Sequence, residues 1–326
     1  MRWSIAVPAA LLSAGVVYEA GSRCRDRALP WRGRLVDVGG YRLRRYDVGV
    51  GAPAVVIIPG AGDCADSWLP VRQSLAPFTR VVSYDRPGLG GSEEGPPPTV
   101  DRDLTDLRRL LHDAAIRPPY VLVGHSLGGL TGCLYAQLHP AEVAGLVLVD
   151  SIPETVARDR GVLAVFVASG IMTSLFTILA PVGLTRLMLA WRKMPLYPEQ
   201  TEFRTRVDAT DYRRWIAAVC RGFARAAALR ELRSGLRSAR EAERFTFGVQ
   251  EPRFGDLPLA VLTSRAYGSR WVAMNSELVT RARSSVHRLI NDRSHNIHMR
   301  HPDLVVDAIQ EIIARARLRA TYAGRA

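Results

Sequence analysis

The stretch VLVGHSLGGL, residues 121–130, sets Ser126 between Gly124 and Gly128, directly after a β-branched apolar run and directly before a segment of helical pattern. A strand that turns sharply into a helix can hold one side chain strained and exposed at the edge of a sheet, provided the flanking residues lack bulk where the two segments cross. Gly-x-Ser-x-Gly supplies that clearance. The spacing predicts a strand over Tyr120–Gly124 and a helix over roughly Leu127–Leu138, stopped by His139-Pro140. A glycine-serine turn without chemistry requires neither neighbour, so Ser126 reads as a nucleophile.

Around this motif the chain alternates strands and helices. Leu35–Val48 reads as a hairpin turning at Gly39-Gly40, and Ala54–Ile58 as an apolar strand ending in Pro59-Gly60-Ala61-Gly62. A helix over residues 65–76, a strand over Val81–Tyr84 and a helix over 99–115 follow, the last with Leu104, Leu107, Leu110 and Leu111 on one face. Val143–Val149 is a further buried strand, ending at Asp150. After a long interruption come a strand over Leu257–Thr263, a helix near 270–283, a strand over Val286–Ile290 and a final helix after Pro302. Continuous apolar strands alternating with helices predict a mostly parallel sheet covered on both faces, with chemistry at the carboxyl ends of the strands. Ser126, Ala61 and Asp150 all lie just past such ends.

Composition narrows the function classes. The 326 residues carry 48% hydrophobic and 23% charged side chains and a net charge of +13, with Lys193 the sole lysine. Such a basic balance suits nucleic acid or an anionic membrane. The chain has no RNA-binding aromatic motif, helix-turn-helix signature or zinc-finger spacing, which favours the membrane over nucleic acid. Cys24, Cys64, Cys133 and Cys220 form no CxxC pair and no metal-ligand spacing. At the N-terminus Ser4–Tyr18 is free of charge and flanked by Arg2 on one side and Arg23, Arg25 and Arg27 on the other. This reads as a single uncleaved membrane anchor, with a signal sequence cleaved near Ala20-Gly21-Ser22, giving a secreted protein, and a merely buried helix as alternatives. The richer positive charge after the segment leaves the bulk of the chain cytoplasmic if the anchor stays.

Between Ile152 and Arg253 the alternation stops and the pattern is helical. Val162–Ala180 is nineteen residues without a charge, and a second apolar run to Trp191 is broken only by Arg186. Its length suits a membrane span, but a crossing here would separate Ser126 from the C-terminal third. It is therefore read as a helical lid lining an apolar pocket and touching lipid. Tyr212–Arg240 reads as a basic amphipathic helix, suited to a membrane surface or to a lid helix with a solvated face.

A serine hydroxyl needs a base, usually histidine, and a carboxylate behind it to fix the tautomer. Of the seven histidines, His112 and His139 sit in helical contexts, His287 lies within a strand, and His125 occupies a different position of the elbow. His295 directly follows the last strand, where a loop returns across the sheet edge to Ser126; His298 is its main competitor.

Gly-His-Ser-Leu-Gly-Gly at 124–129, Asp85-Arg86-Pro87-Gly88-Leu89-Gly90-Gly91-Ser92, and Ser294-His295-Asn296-Ile297-His298-Met299-Arg300-His301-Pro302 together resemble the α/β-hydrolase superfamily, in its subgroup of N-terminally anchored serine hydrolases. The resemblance runs from about Arg34 to Ala316 and is weakest in the lid. It implies the chain order nucleophile, acid, histidine, and an oxyanion hole from the backbone N–H groups of Ala61 and Leu127. Pro59 stands where the family usually has histidine, and Ser294 where glycine usually precedes the catalytic histidine. The family commonly places its acid in the loop here spanning Thr263–Ser269, which contains no carboxylate. Some members place it after the strand that follows the nucleophile helix, where Asp150 stands; Glu277, Asp256 and Asp292 remain as alternatives.

The expectation is an α/β-hydrolase fold with a mostly parallel, eight-stranded-type sheet. Residues 1–33 form the anchor or signal segment and linker, 34–151 and 254–318 the two parts of the core, 152–253 the lid and 319–326 a tail. The expected activity is carboxylesterase- or lipase-like cleavage of a hydrophobic ester through Ser126, His295 and Asp150, which implies no metal or organic cofactor. Epoxide hydrolase and haloalkane dehalogenase chemistry in this superfamily uses an aspartate nucleophile, and Ser126 argues against both. A non-catalytic binding module, and a cofactor-free haloperoxidase or acyltransferase using the same three residues, are the alternatives.

Overall fold

The computed structural model describes residues 3–246 and 253–323. Arg2, the last residues of the lid stretch at 247–252 and the tail residues 324–326 lie outside the described residues.

Eight strands form one sheet in the order β1-β2-β4-β3-β5-β6-β7-β8: β1 (Arg34–Asp37), β2 (Arg42–Val48), β3 (Val55–Ile58), β4 (Val81–Tyr84), β5 (Tyr120–His125), β6 (Val143–Val149), β7 (Leu259–Thr263) and β8 (Ser285–Leu289). The β1-β2 and β2-β4 pairs are antiparallel and every other pair is parallel, as the apolar strands predict. Alternate strand residues face opposite layers. Val55, Ile57, Val121, Val123, Val147 and Val149 pack beneath α2 (Leu69–Leu75) and α12 (Pro302–Ala323). Val56, Ile58, Leu122, Leu146 and Leu148 pack beneath α3 (Val100–Asp113), α4 (Leu127–Leu138) and α10 (Gly268–Val279). Each such fully buried side chain contributes about 1.5–3 kcal/mol by leaving water, which is why the strands read as unbroken apolar runs.

Among the described residues, five α-helices stand between β6 and β7: α5 (Arg160–Leu179), α6 (Leu184–Ala190), α7 (Gln200–Arg206), α8 (Ala209–Ala224) and α9 (Ala227–Thr246). They share a hydrophobic cluster with Cys64, Leu69, Leu89 and Met299 of the sheet domain, in which Tyr212 stacks on Trp215, Phe203 packs tilted against both, and Phe176 meets Phe223 edge-on. The single amphipathic helix expected over Tyr212–Arg240 is two helices. The chain breaks at Ala226, whose φ is +54°, because α9 turns to lay Ala227 and Ala228 against Gly88 and Gly62 of the sheet's loops. Only small residues fit there: a β-carbon at Gly88 would lie 2.9 Å from that of Ala227, and one at Gly62 3.0 Å from that of Ala228.

The N-terminal segment is α1 (Trp3–Arg27), one helix of 25 residues. Its C-terminal half packs on the turn between α5 and α6, where Gly183 sits against Tyr18. Arg186, the one charge interrupting the apolar run of the insertion, pairs with Glu19 at 2.8 Å and Asp26 at 2.7 Å of this helix. A short helix α11 (Ile297–Arg300) precedes α12.

Candidate active site

Ser126 caps β5 with φ +51° and ψ −118°, a region that a side-chain-bearing residue occupies only when its surroundings enforce it. Its amide donates to the Val149 carbonyl at 3.1 Å, and its carbonyl accepts from Ile152 at 3.0 Å, so the turn is tied to the end of β6. The glycines fulfil the crossing that the sequence requires. A β-carbon at Gly124 would lie 2.5 Å from the Cα of Gly129, and one at Gly128 would lie 2.5 Å from the Pro59 carbonyl oxygen.

Asp150 follows β6 with φ +43° and is fully buried. Each of its oxygens accepts twice. Oδ1 takes the Ser264 amide at 2.9 Å and the Trp271 indole N–H at 2.8 Å; Oδ2 takes the Ser264 hydroxyl at 3.0 Å and faces His295 Nδ1 at 2.7 Å. Four donors compensate the loss of hydration that would otherwise make so buried a carboxylate costly. The loop at Thr263–Ser269, which lacks a carboxylate, thus supplies donors to one that enters from β6. Of the alternatives, Asp292 pairs with His301 and Arg300, Asp256 pairs with Arg283, and Glu277 lies exposed on α10.

With Nδ1 engaged by Asp150, the ring of His295 has Nε2 on its opposite edge. Ser126, His295 and Ala61 line one cavity of about 310 Å³, whose further walls come from the insertion, among them Val165, Phe166 and Leu196. That volume lies at the lower end of the range usual for small-molecule sites, about 300–1,000 Å³. A larger depression of about 1140 Å³ opens at the amino ends of the strands, between Arg109, His112 and Glu142, away from all of these residues.

His125 and His298 are both buried, and each has its Nε2 engaged by a group other than Ser126. His125 donates from Nε2 to the backbone carbonyl of His295 at 3.0 Å, which fixes the loop that carries the base. Burial, reinforced by the neighbouring imidazoles of His295 and His298, holds its pKa well below the usual histidine range and keeps it neutral. His298 stacks on Trp68 at 4.2 Å and bonds the Ser67 hydroxyl at 3.2 Å. Asp63, His125 and His298 together bring three potential metal-ligand atoms within 4.8 Å of one another. All three residues are already engaged, since His125 Nε2 holds the His295 carbonyl, Asp63 accepts from Ser67 at 2.9 Å, and His298 bonds the same Ser67 hydroxyl at 3.2 Å.

The remaining contacts were invisible in the sequence. Glu231 of α9 accepts from the Gly62 amide at 2.7 Å and from Arg86 at 2.6 and 2.8 Å, while Arg86 also donates to the carbonyls of Pro59 and Gly60. Glu199, between α6 and α7, accepts from Ser294 at 2.7 Å and from the Asn296 side chain at 2.9 Å.

The model of the alpha/beta hydrolase family matches residues 55–308, most of the chain. The chain belongs to that family. RutD of Escherichia coli O157:H7, whose name proposes a carbamate hydrolase, is 38% identical over 104 residues, 30% of this chain and 38% of RutD. Across eight curated relatives, the chain spans 17% to 48% of their length. Among solved structures, a thermophilic esterase from Thermogutta terrifontis aligns with a TM-score of 0.61 at 19% identity, over 88% of this chain and 99% of the esterase. The Cif epoxide hydrolase from Acinetobacter nosocomialis aligns with a TM-score of 0.71 at 15% identity, over 91% and 96%. At such identities the likeness is one of fold.

Proposed function

We propose that this member of the family is a serine hydrolase that cleaves a hydrophobic carboxylic ester through Ser126, His295 and Asp150. The single observation that carries the proposal is the 2.7 Å contact between His295 Nδ1 and a fully buried, four-times-bonded Asp150, in a histidine that lines the same cavity as Ser126. A serine without such a base is inert at neutral pH. His295 Nε2 takes the Ser126 proton as Oγ attacks the carbonyl carbon, and Asp150 holds the Nδ1–H tautomer and stabilises the imidazolium. The carbonyl oxygen, now an oxyanion, is met by the N–H groups of Ala61 and Leu127. Leu127 is the first residue of α4, where a helix leaves its N–H without an intrahelical acceptor. The Gly62 amide is committed to Glu231, which supports Ala61 as the donor from this loop. The protonated histidine then gives its proton to the leaving alcohol, and water, activated by the same base, releases the acyl group. The apolar insertion lining the cavity supports a hydrophobic acyl or alcohol portion.

The reading includes membrane association through α1, aided by the outer face of α5. Leu11, Leu12, Val16 and Val17 of α1 and Val167, Ile171, Leu175 and Ile178 of α5 are exposed apolar side chains. The 23 residues Arg160–Val182 are long and apolar enough to cross a membrane by length and composition, and 17% of their most hydrophobic window is buried.

Labelling of the purified protein with a fluorophosphonate probe tests the chemistry. The parent is expected to label, with label lost in Ser126→Ala and reduced at least about 10³-fold in rate in His295→Ala. An unlabelled parent would overturn the proposal in favour of a non-catalytic binding role.

A further inference from the structure

We propose that the helical insertion is a positioning part of the catalytic machinery rather than a cover over it, acting through two buried carboxylates: Glu231 holds the loop that carries Ala61, and Glu199 holds both residues that flank His295. The inference rests on the serine hydrolase reading above. Glu231 is 3% exposed and Glu199 fully buried. A carboxylate withdrawn from water is tolerated only when its oxygens are bonded, so such groups sit where their geometry is fixed. Glu231 reaches across 169 residues of sequence to the Gly62 amide, and its partner Arg86 grips the Pro59 and Gly60 carbonyls. Tyr197, also of the insertion, donates to the Gly62 carbonyl at 3.3 Å. Thus both backbone polar groups of Gly62, the residue next to Ala61, are held by the insertion.

Glu199, which lines the same cavity, takes the Ser294 hydroxyl and the Asn296 amide group, bracketing His295. The insertion thereby reaches the oxyanion loop and the base loop at once. Any displacement of the insertion that breaks these contacts removes a hold from both loops together, so the positioning of the oxyanion donor and of the base is coupled to the seating of the insertion.

The test uses the full chain with Glu231→Gln, Glu199→Gln and, as milder changes that spare the buried charges, Tyr197→Phe and Ser294→Ala. Hydrolysis of p-nitrophenyl butyrate is measured per fluorophosphonate-titrated site, together with inhibition by a trifluoromethyl ketone, whose adduct with Ser126 mimics the tetrahedral oxyanion. In the glutamine variants kcat is expected to fall roughly 10- to 100-fold, the scale of a displaced donor or misplaced base, with KM within about threefold and the ketone weakened in proportion to kcat/KM. The milder variants are expected to shift the same quantities in the same direction. Hydrogen exchange, which needs no activity, is expected to quicken at residues 59–63 in Glu231→Gln and at 293–297 in Glu199→Gln. Folded variants with unchanged per-site kcat, ketone affinity and local exchange would overturn the inference. An unlabelled parent would overturn the serine hydrolase reading instead, and the exchange result would still decide whether the insertion holds the two loops.

Discussion

Asp150 is the carboxylate on which the proposed base depends. With Asp150→Asn the amide no longer enforces the Nδ1–H tautomer, and kcat is expected to fall about 10⁴-fold, measured on a soluble ester with the fold checked by circular dichroism. Trp271 and Ser264 act on the same carboxylate from behind. Trp271→Phe removes one charged hydrogen bond of 2.8 Å while keeping most of the ring, and a loss of about 1.5–3 kcal/mol in urea unfolding is expected. Gly128 admits no substitute, because a β-carbon would collide with the carbonyls of Ile58 and Pro59, both backbone groups of the neighbouring strand and loop. Gly128→Ala is expected to cost at least about 3 kcal/mol, read as a lowered urea midpoint or as loss of soluble protein.

The helices of the insertion show how one element serves two environments. Along α5, Val165, Phe166, Ser169 and Thr173 line the cavity, while Val167, Ile171, Leu175 and Ile178 point outward at helical spacing. The helix is therefore uniformly apolar in sequence, although its two faces meet different surroundings. If the outer face rests on lipid, Ile171→Asp with Ile178→Asp should reduce cosedimentation with anionic vesicles several-fold. Turnover of a soluble short-chain ester should stay within about twofold, since neither side chain lines the cavity. Equal vesicle binding by the double variant would exclude this face as the contact. The break between α8 and α9 has a similar lesson. No glycine or proline marks it, and the φ of +54° at Ala226 is imposed by the need to seat Ala227 and Ala228 on the loops beneath.

The molecule as a whole carries buried ionisable groups that tie its stability to pH in opposite directions. His125 has a depressed pKa in the fold, so below about pH 6.5 the unfolded chain binds a proton that the folded chain refuses. Its contribution is complete above that pH and is lost as acid is added. Asp103, buried beside Arg86, is raised by desolvation to about 7, against the lowering influence of Arg86. From about pH 4 to 7 the folded chain keeps a proton that the unfolded chain has released, so this contribution is present in acid and fades as pH rises through 7. Asp103→Asn removes that slope. Relative to the parent, its urea midpoint is expected to improve steadily from pH 4 to 7 and to hold a constant offset above. An offset independent of pH would show that Asp103 is ionised throughout.

The nucleophile turn, the alternating elements and the parallel sheet could be read directly from the residues, because each rests on local rules. Two glycines clear a crossing, strands buried on both faces are continuously apolar, and proline stops a helix. The loop bearing His295 was legible for the same reason, as it follows a strand. What pairs with His295 was not. Asp150 stood among four candidate carboxylates, and the contact across 145 residues exists because β6, β7 and β8 lie side by side and bring their carboxyl ends together. Ser264, Trp271, Glu199 and Glu231 carried no signal at all. Their hydrogen bonds join segments 95 to 169 residues apart, and such pairings leave no periodicity or spacing in the chain; they arise only when separate elements are packed against one another.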